Sequence, residues 1–374
     1  VLILSCNTGE GHNSAAKALK RHIDAHHDEC VIFDTLSLAG HNVSRWVSEF
    51  YLYSTRTNLF KHLYKMGTVV SEWLDKVKSP VYLWNMSYSD HLLEYIRSNH
   101  FDVVICVHLF PAQAMTALKM KGKMALPVIF VMTDYTCIPF LDETSVDSYV
   151  IPHEHLIEEF TVNGIPREKL YPYGIPVDES FYTSTSKIEA RNTVAEDFGW
   201  DIPLFNNWFL IMTGSMGFGN TQEIIDETIR QSLDGTEIIA VCGRNEEMLN
   251  RLKEENRYLP NIHPVGFTDR IPLLMDACDV LFTKPGGISS TEAMSKHIPM
   301  IHTAPIPGCE TRNAEFFHYH GMSYSCIDTV QQVKTALRLC EDMEYRKTMT
   351  GAQQVNAKPD TCHDIYALFR DQAS

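Results

Sequence analysis

At 374 residues the chain is long for one hydrophobic core, and two domains of roughly 180 residues each fit the usual range of about 50 to 250. A hydrophobic content of 44% and a charged content of 21% are ordinary for a globular enzyme, while a formal net charge of −15 argues against general nucleic-acid binding. No apolar run nears the roughly 20 residues that span a bilayer and no signal peptide precedes the first strand, so a cytoplasmic protein is expected.

The first predicted strand, residues 1–5, runs into SCNTGEGHNSAAKAL, a glycine turn followed by an alanine-rich helix. The nucleoside-triphosphatase loop would need Gly-Lys-Ser/Thr at its end, and Gly11 is followed by His12 and Asn13. The dinucleotide fingerprint would need a third glycine where Ser14 stands. What remains is a histidine at the C-terminal edge of a strand, where open α/β sheets bind ligands. His12 is therefore a catalytic candidate, with Gly9 and Gly11 beside it.

Further strands are predicted at 31–33, 103–107, 128–132 and 149–151, with helical stretches between them, the alternation of a parallel sheet with crossover helices. Between the second and third lies a basic, aromatic stretch: residues 44–88 carry six Lys/Arg against three Asp/Glu and ten aromatics, in an acidic protein. Such a mixture suits an anionic membrane surface, with Trp46, Lys61 and Lys65 as contacts; a helix pair with one wet face fits the composition equally well. His108 follows the third strand and Asp134 the fourth, so both are cleft candidates, whereas His153 and His155 read as surface. Ten cysteines contain no C-x-x-C pair, and those in apolar runs, such as Cys106 and Cys242, read as reduced core residues.

Periodicity is lost over 173–186, and a second series of strands follows at 209–212, 238–241, 262–265, 280–282 and 300–302. The expected domains are 1–178 and 188–357 with a hinge at 179–187, and 358–374 forms a C-terminal helix that crosses back. Two doubly wound, Rossmann-like α/β units with a cleft between them make the arrangement called GT-B.

Each strand of the second series ends in a glycine or proline turn on one edge of the sheet. TGSMGFGN offers Gly214, Ser215 and Gly217 for close backbone approach to a diphosphate. CGRN and VGFTDRI place Gly243, Arg244 and Phe267 where a uracil edge would lie. In TKPGGISSTEAMS, Gly286 and Gly287 lead into a helix expected to begin near Ser289 or Ser290, a natural seat for a diphosphate. Glu292 could take the two hydroxyls of a ribose, or merely sit as an acid in the first turns of the helix. Glu310 and Asn313, three apart, are spaced to grip sugar hydroxyls from one helical face.

Taken together, ILSCNTGEGHNSAA, TDY at 133–135, GIPV at 174–177, KPGG with TEA, and PIPG with Glu310 and Asn313 make the chain resemble the diacylglycerol glycosyltransferases of glycosyltransferase family 28. These are the bacterial processive glucosyltransferases and plant monogalactosyldiacylglycerol synthases. The resemblance implies a UDP-sugar co-substrate held by the second domain, with Glu292 on the ribose and Glu310 and Asn313 on the sugar. It implies a first domain that meets the membrane and a lipid acceptor, with His12 as general base in an inverting transfer; Asp134 is a second catalytic candidate, as an acceptor contact or a partner for His12. Cys309 departs from the glutamine of many relatives, and CIPFLDE lacks their His/Trp pattern. No D-x-D occurs, so no metal or other cofactor is expected. A polyprenyl-linked acceptor, a UDP-N-acetylglucosamine 2-epimerase and a non-enzymatic UDP-sugar sensor remain alternatives.

Replacing Trp46, Lys61 and Lys65 together is expected to weaken sedimentation with anionic liposomes, and unchanged sedimentation would remove the patch from the membrane reading.

Overall fold

Short aliphatic runs buried on both faces are the mark of parallel strands covered by helices, and β1 (Leu2–Ser5) is such a run, with all four residues buried. The computed structural model describes residues 1–6, 10–39, 78–212, 220–232 and 235–373. Of the expected site residues, Gly9, Gly214, Ser215, Gly217, Trp46, Lys61 and Lys65 lie outside the described residues, as does most of the 44–88 stretch.

After β1 come α1 (Glu10–Ala25), β2 (Val31–Asp34), α2 (Pro80–Ser87), α3 (Ser89–Asn99), β3 (Val104–Cys106), α4 (Leu109–Met120), β4 (Val128–Val131), β5 (Ser148–Val150), α5 (Ile157–Val162) and β6 (Leu170–Tyr171). Among the described residues they form a six-stranded, wholly parallel sheet in the order β2-β1-β3-β4-β5-β6. The order reverses at β1, so the C-terminal ends of β1 and β3 flank a switch point where such sheets take ligands.

The second series is α6 (Lys187–Phe198), β7 (Asn207–Met212), α7 (Thr221–Ser232), β8 (Thr236–Val241), α8 (Glu246–Glu255), β9 (Ile262–Val265), α9 (Ile271–Ala277), β10 (Val280–Thr283), α10 (Gly287–Ser295), β11 (Met300–His302), α11 (Cys309–Tyr319), β12 (Tyr324–Ser325), α12 (Thr329–Glu341) and α13 (Met343–Asn356). Its described strands also make a parallel six-stranded sheet, ordered β12-β11-β10-β7-β8-β9, with its switch point between β7 and β10. The chain divides into two units: Val1–Asp178 with Pro307–Cys309 and Lys358–Ser374, and Glu179–Ile306 with Glu310–Ala357.

The final helix, α14 (Thr361–Ala373), packs into the first unit because its apolar residues recur at helical spacing. Ile365, Leu368 and Phe369 join Ile3, Leu19 and Ile23 in one core, each buried side chain contributing about 1.5–3 kcal/mol, and Tyr366 donates from its hydroxyl to Asp28 at 2.8 Å. In the second unit the buried Asp279 carboxylate gathers Lys187 at 2.6 Å, Arg191 at 2.5 Å and Arg346 at 3.1 Å, and accepts the Trp208 amide. Burial alone would raise its pKa, and the cations outweigh it and hold the carboxyl below its usual range.

The doubly wound architecture is as expected, with three differences in detail. The edge strands β6 and β12 are two residues long and carry no apolar run to announce them. Helix α10 starts at Gly287 rather than near Ser289, because Gly286 is its N-cap. His153, read as surface, is 2% exposed and caps the short turn Glu154–Leu156 by accepting the His155 amide at 3.2 Å.

Gly174 has φ of +106°, and a Cβ there would lie 2.5 Å from Thr361 Oγ1 and 2.8 Å from Lys358 Cβ. Gly174→Ala is therefore expected to lower stability by about 2–4 kcal/mol in urea melts; an unchanged midpoint would contradict this packing. His302 is wholly buried between Ser290 and Ser323, and burial, with His318 nearby, pushes its pKa down to about 3. Free imidazole titrates near ~6.5. Between those values the unfolded chain binds the extra proton, so stability falls as pH drops, by up to about 1.4 kcal/mol per pH unit from this group. Urea melts of His302→Asn should show a shallower loss between about pH 6.5 and 4, and an unaltered slope would exclude His302 as its source.

Candidate active site

Three parallel strands deliver the polar groups of the first unit to one edge. The register of β1 and β3 continues one residue past β3, where the Val107 amide donates to Leu4 O at 3.0 Å. The Val107 carbonyl then meets His12 Nδ1 at 2.9 Å, in the first turn of α1. From the end of β4, the Thr133 hydroxyl lies 3.0 Å from the same nitrogen. Ser5 Oγ donates to Asn13 Oδ1 at 2.8 Å and ties that first turn to β1.

A carbonyl only accepts, so Nδ1 carries the proton and neutral His12 keeps its lone pair on Nε2. His12 and Gly11 are half-buried. Burial lowers the His12 pKa; the charge of Asp134 and the bond to Val107 oppose it, and the net shift is downward. His108 meets the His12 ring edge-on, with centroids 4.7 Å apart. It also caps α4, its Nδ1 accepting the Phe110 amide at 3.1 Å, which leaves its own proton on Nε2. Burial, reinforced by neighbouring His12, holds His108 well below the ordinary histidine range, so it stays neutral beside His12.

The loop that carries Asp134 is itself fastened. Glu159 on α5 accepts from Thr136 Oγ1 at 2.6 Å and from the Cys137 amide at 2.8 Å. His12, His108 and Asp134 are thus brought together. Val107, Thr133 and Glu159 complete the arrangement and were not among the expected site residues, although Thr133 stands in the TDY motif.

In the second unit, the turns after β8, β9 and β10 share one edge because the strands are parallel. The N-cap of α10 is Gly286, which has no side chain to cap with, and among the described residues no atom would lie within 4 Å of a Cβ there, so this helix N-terminus can offer its amides to an anion. Lys284 in the same turn has its pKa lowered by burial, against the raising charge of Glu310. Glu310 accepts the Ile306 amide at 2.6 Å, and Glu292 and Ser289 are half-buried on α10. Gly243, at φ +57°, and Gly266 lie in adjoining turns, where Arg244 sits 5.1 Å over the ring of Phe267, which is 70% exposed. Lys284 was overlooked although it opens the KPGG motif.

Two of the expected donor-side residues, Ser290 and Asn313, have buried side chains. Ser290 is wholly buried: its Oγ pairs with His302 Nε2 at 3.0 Å and its amide donates to Gly286 O. Asn313 is also wholly buried and donates from Nδ2 to Pro285 O at 3.0 Å, bracing the turn from behind. Both side chains face the core, because their helices turn that side toward β11 and the KPGG backbone. Among the described residues no group of three or more His, Cys, Asp or Glu is arranged to hold a metal ion.

Comparison with known proteins agrees with the motifs. Residues 12–177 match the family model for monogalactosyldiacylglycerol (MGDG) synthase. Over 374 residues, 99% of this chain and 93% of the relative, the sequence is 25% identical to a processive diacylglycerol beta-glucosyltransferase of Bacillus cereus (strain G9842). Among solved structures, MurG of Acinetobacter baumannii aligns with a TM-score of 0.66 at 12% identity, covering 99% of each chain. UDP-GlcNAc 2-epimerase of Neisseria meningitidis, bound to UDP-GlcNAc, aligns with a TM-score of 0.66 at 14% identity, again over 99% of each. The fold is therefore of the GT-B type, and by sequence the chain is similar to diacylglycerol glycosyltransferases along nearly its whole length, with residues 12–177 matching the MGDG synthase model.

Proposed function

We propose that this glycosyltransferase moves a hexose from UDP-glucose or UDP-galactose to the hydroxyl of diacylglycerol, with inversion and without a metal or other cofactor, at the inner face of the cell membrane. The observation that carries the reading is the Nδ1 bond of His12 to the Val107 carbonyl, which leaves Nε2 as the basic nitrogen at the switch point of the first sheet. The lipid acceptor and β-linked product are those named for the Bacillus cereus relative. The reading is of peripheral association, and no helix among the described residues is long and apolar enough to cross a membrane.

In the proposed mechanism His12 Nε2 takes the proton of the acceptor hydroxyl as its oxygen attacks the anomeric carbon opposite UDP. The positive charge that grows on the ring is stabilised by the Asp134 charge and the Val107 carbonyl. The leaving diphosphate is received at the N-terminus of α10, around Gly286 and Gly287, where backbone amides and the helix dipole favour an anion. Glu292 takes the ribose, Glu310 the hexose, and the Arg244–Phe267 pair flanks the base. With no D-x-D motif, the sequence offers no support for a metal chelating the diphosphate.

The test is UDP release from UDP-glucose and from UDP-galactose, with and without diacylglycerol in anionic liposomes, in excess chelator. Lipid-dependent release with one donor is expected, and His12→Ala should reduce it by about 10²–10⁴-fold. Release that ignores the lipid would favour epimerisation or another acceptor. Loss in chelator would overturn metal independence, and UDP-sugar binding without turnover in the unaltered protein would indicate a sensor.

A further inference from the structure

His12 Nδ1 has two oxygens within hydrogen-bond reach: the Val107 carbonyl at 2.9 Å and the Thr133 hydroxyl at 3.0 Å. Thr133 is 7% exposed, two residues beyond the end of β4. Because the carbonyl can only accept, the single Nδ1 proton is shared between the two oxygens. When Nε2 gains a proton, the bonds at Nδ1 become charge-assisted and strengthen. We propose that Thr133 is a positioning residue for the base, holding the His12 ring by Nδ1 and stabilising the imidazolium that forms during transfer.

The inference rests on the reading of His12 as base, and deepens it. Thr133 acts through His12 and needs no contact with either substrate. Among the described residues, the titratable groups brought against His12 are His108, from the end of β3, and Asp134, from the loop after β4. His108 is engaged in capping α4, and Asp134 acts through its charge, so neither supplies what the Thr133 oxygen supplies at Nδ1.

Two substitutions separate positioning from packing. Thr133→Val keeps the branched shape and removes the oxygen, whereas Thr133→Ser keeps the oxygen and removes a methyl group. Positioning predicts that Thr133→Val lowers kcat about tenfold, the worth of one hydrogen bond to a charged group, with the KM for the UDP-sugar unchanged. The acid limb of its pH profile should move to lower pH, because the imidazolium has lost an acceptor while neutral His12 has lost less. Thr133→Ser should retain the original rate and limb. A purely packing role predicts the reverse order, with the serine variant impaired and the valine variant normal, and that result would overturn the proposal. Loss of activity in His12→Ala beside an unaltered Thr133→Val would remove Thr133 alone. Full activity in His12→Ala would remove the base reading and Thr133 with it.

Discussion

Parallel pairing is the constraint on which the rest depends. Every described strand pair in both sheets is parallel, which sends all C-terminal strand ends to one edge of each sheet. Residues distant in sequence become neighbours there without any local signal. His12 follows β1, Val107 and His108 follow β3, and Thr133 follows β4, yet the Nδ1 atom of His12 touches groups 95 and 121 residues away. The same rule in the second unit aligns the turns after β8, β9 and β10.

On the proposed reading the two units deal with opposite charges. The first must accommodate a positive charge that appears on a half-buried imidazole, and burial opposes that charge. The Val107 carbonyl and the Asp134 carboxylate offset the burial, while His108 adds no competing charge because its own burial and its capping bond keep it neutral. The second unit must take a departing diphosphate. It presents the glycine-capped N-terminus of α10, with Lys284 in the preceding turn and Glu310 close enough to favour that lysine's charged form.

How much of this was legible in the sequence depended on whether the signal was local. Strands β1, β4, β7 and β10 stand out as aliphatic runs, and the glycines that follow β8 and β10 mark their turns. Strands β6 and β12 were hidden because two residues at a sheet edge need no apolar pattern. The start of α10 was misjudged because serine is the usual N-cap, and here glycine takes that place. Helical spacing puts Asn313 on one face with Glu310, and the glycine pair puts Ser290 near a helix start. Spacing tells which residues share a face, and only the placement of β11 and of the KPGG turn decides that this face is the buried one.

The burial of these two side chains explains why so many polar residues crowd one motif. A helix N-terminus attracts an anion mainly within its first turn, so the direction of that turn has to be fixed as firmly as its amides have to be exposed. Ser290 is held by His302, and His302 by Ser323 on the far side, a buried chain whose members are all partnered. Asn313 holds the Pro285 carbonyl, and Glu310 holds the Ile306 amide. In a medium of low polarity each such bond is costly to leave unmade, so the Asn313 and Ser290 bonds brace the KPGG turn and the start of α10, and the Glu310 bond braces the turn before α11. The motif therefore combines residues able to meet a ligand with residues that brace the turn. His12 and Thr133 stand in the same relation in the first unit: one group can reach a substrate, and the other fixes its orientation.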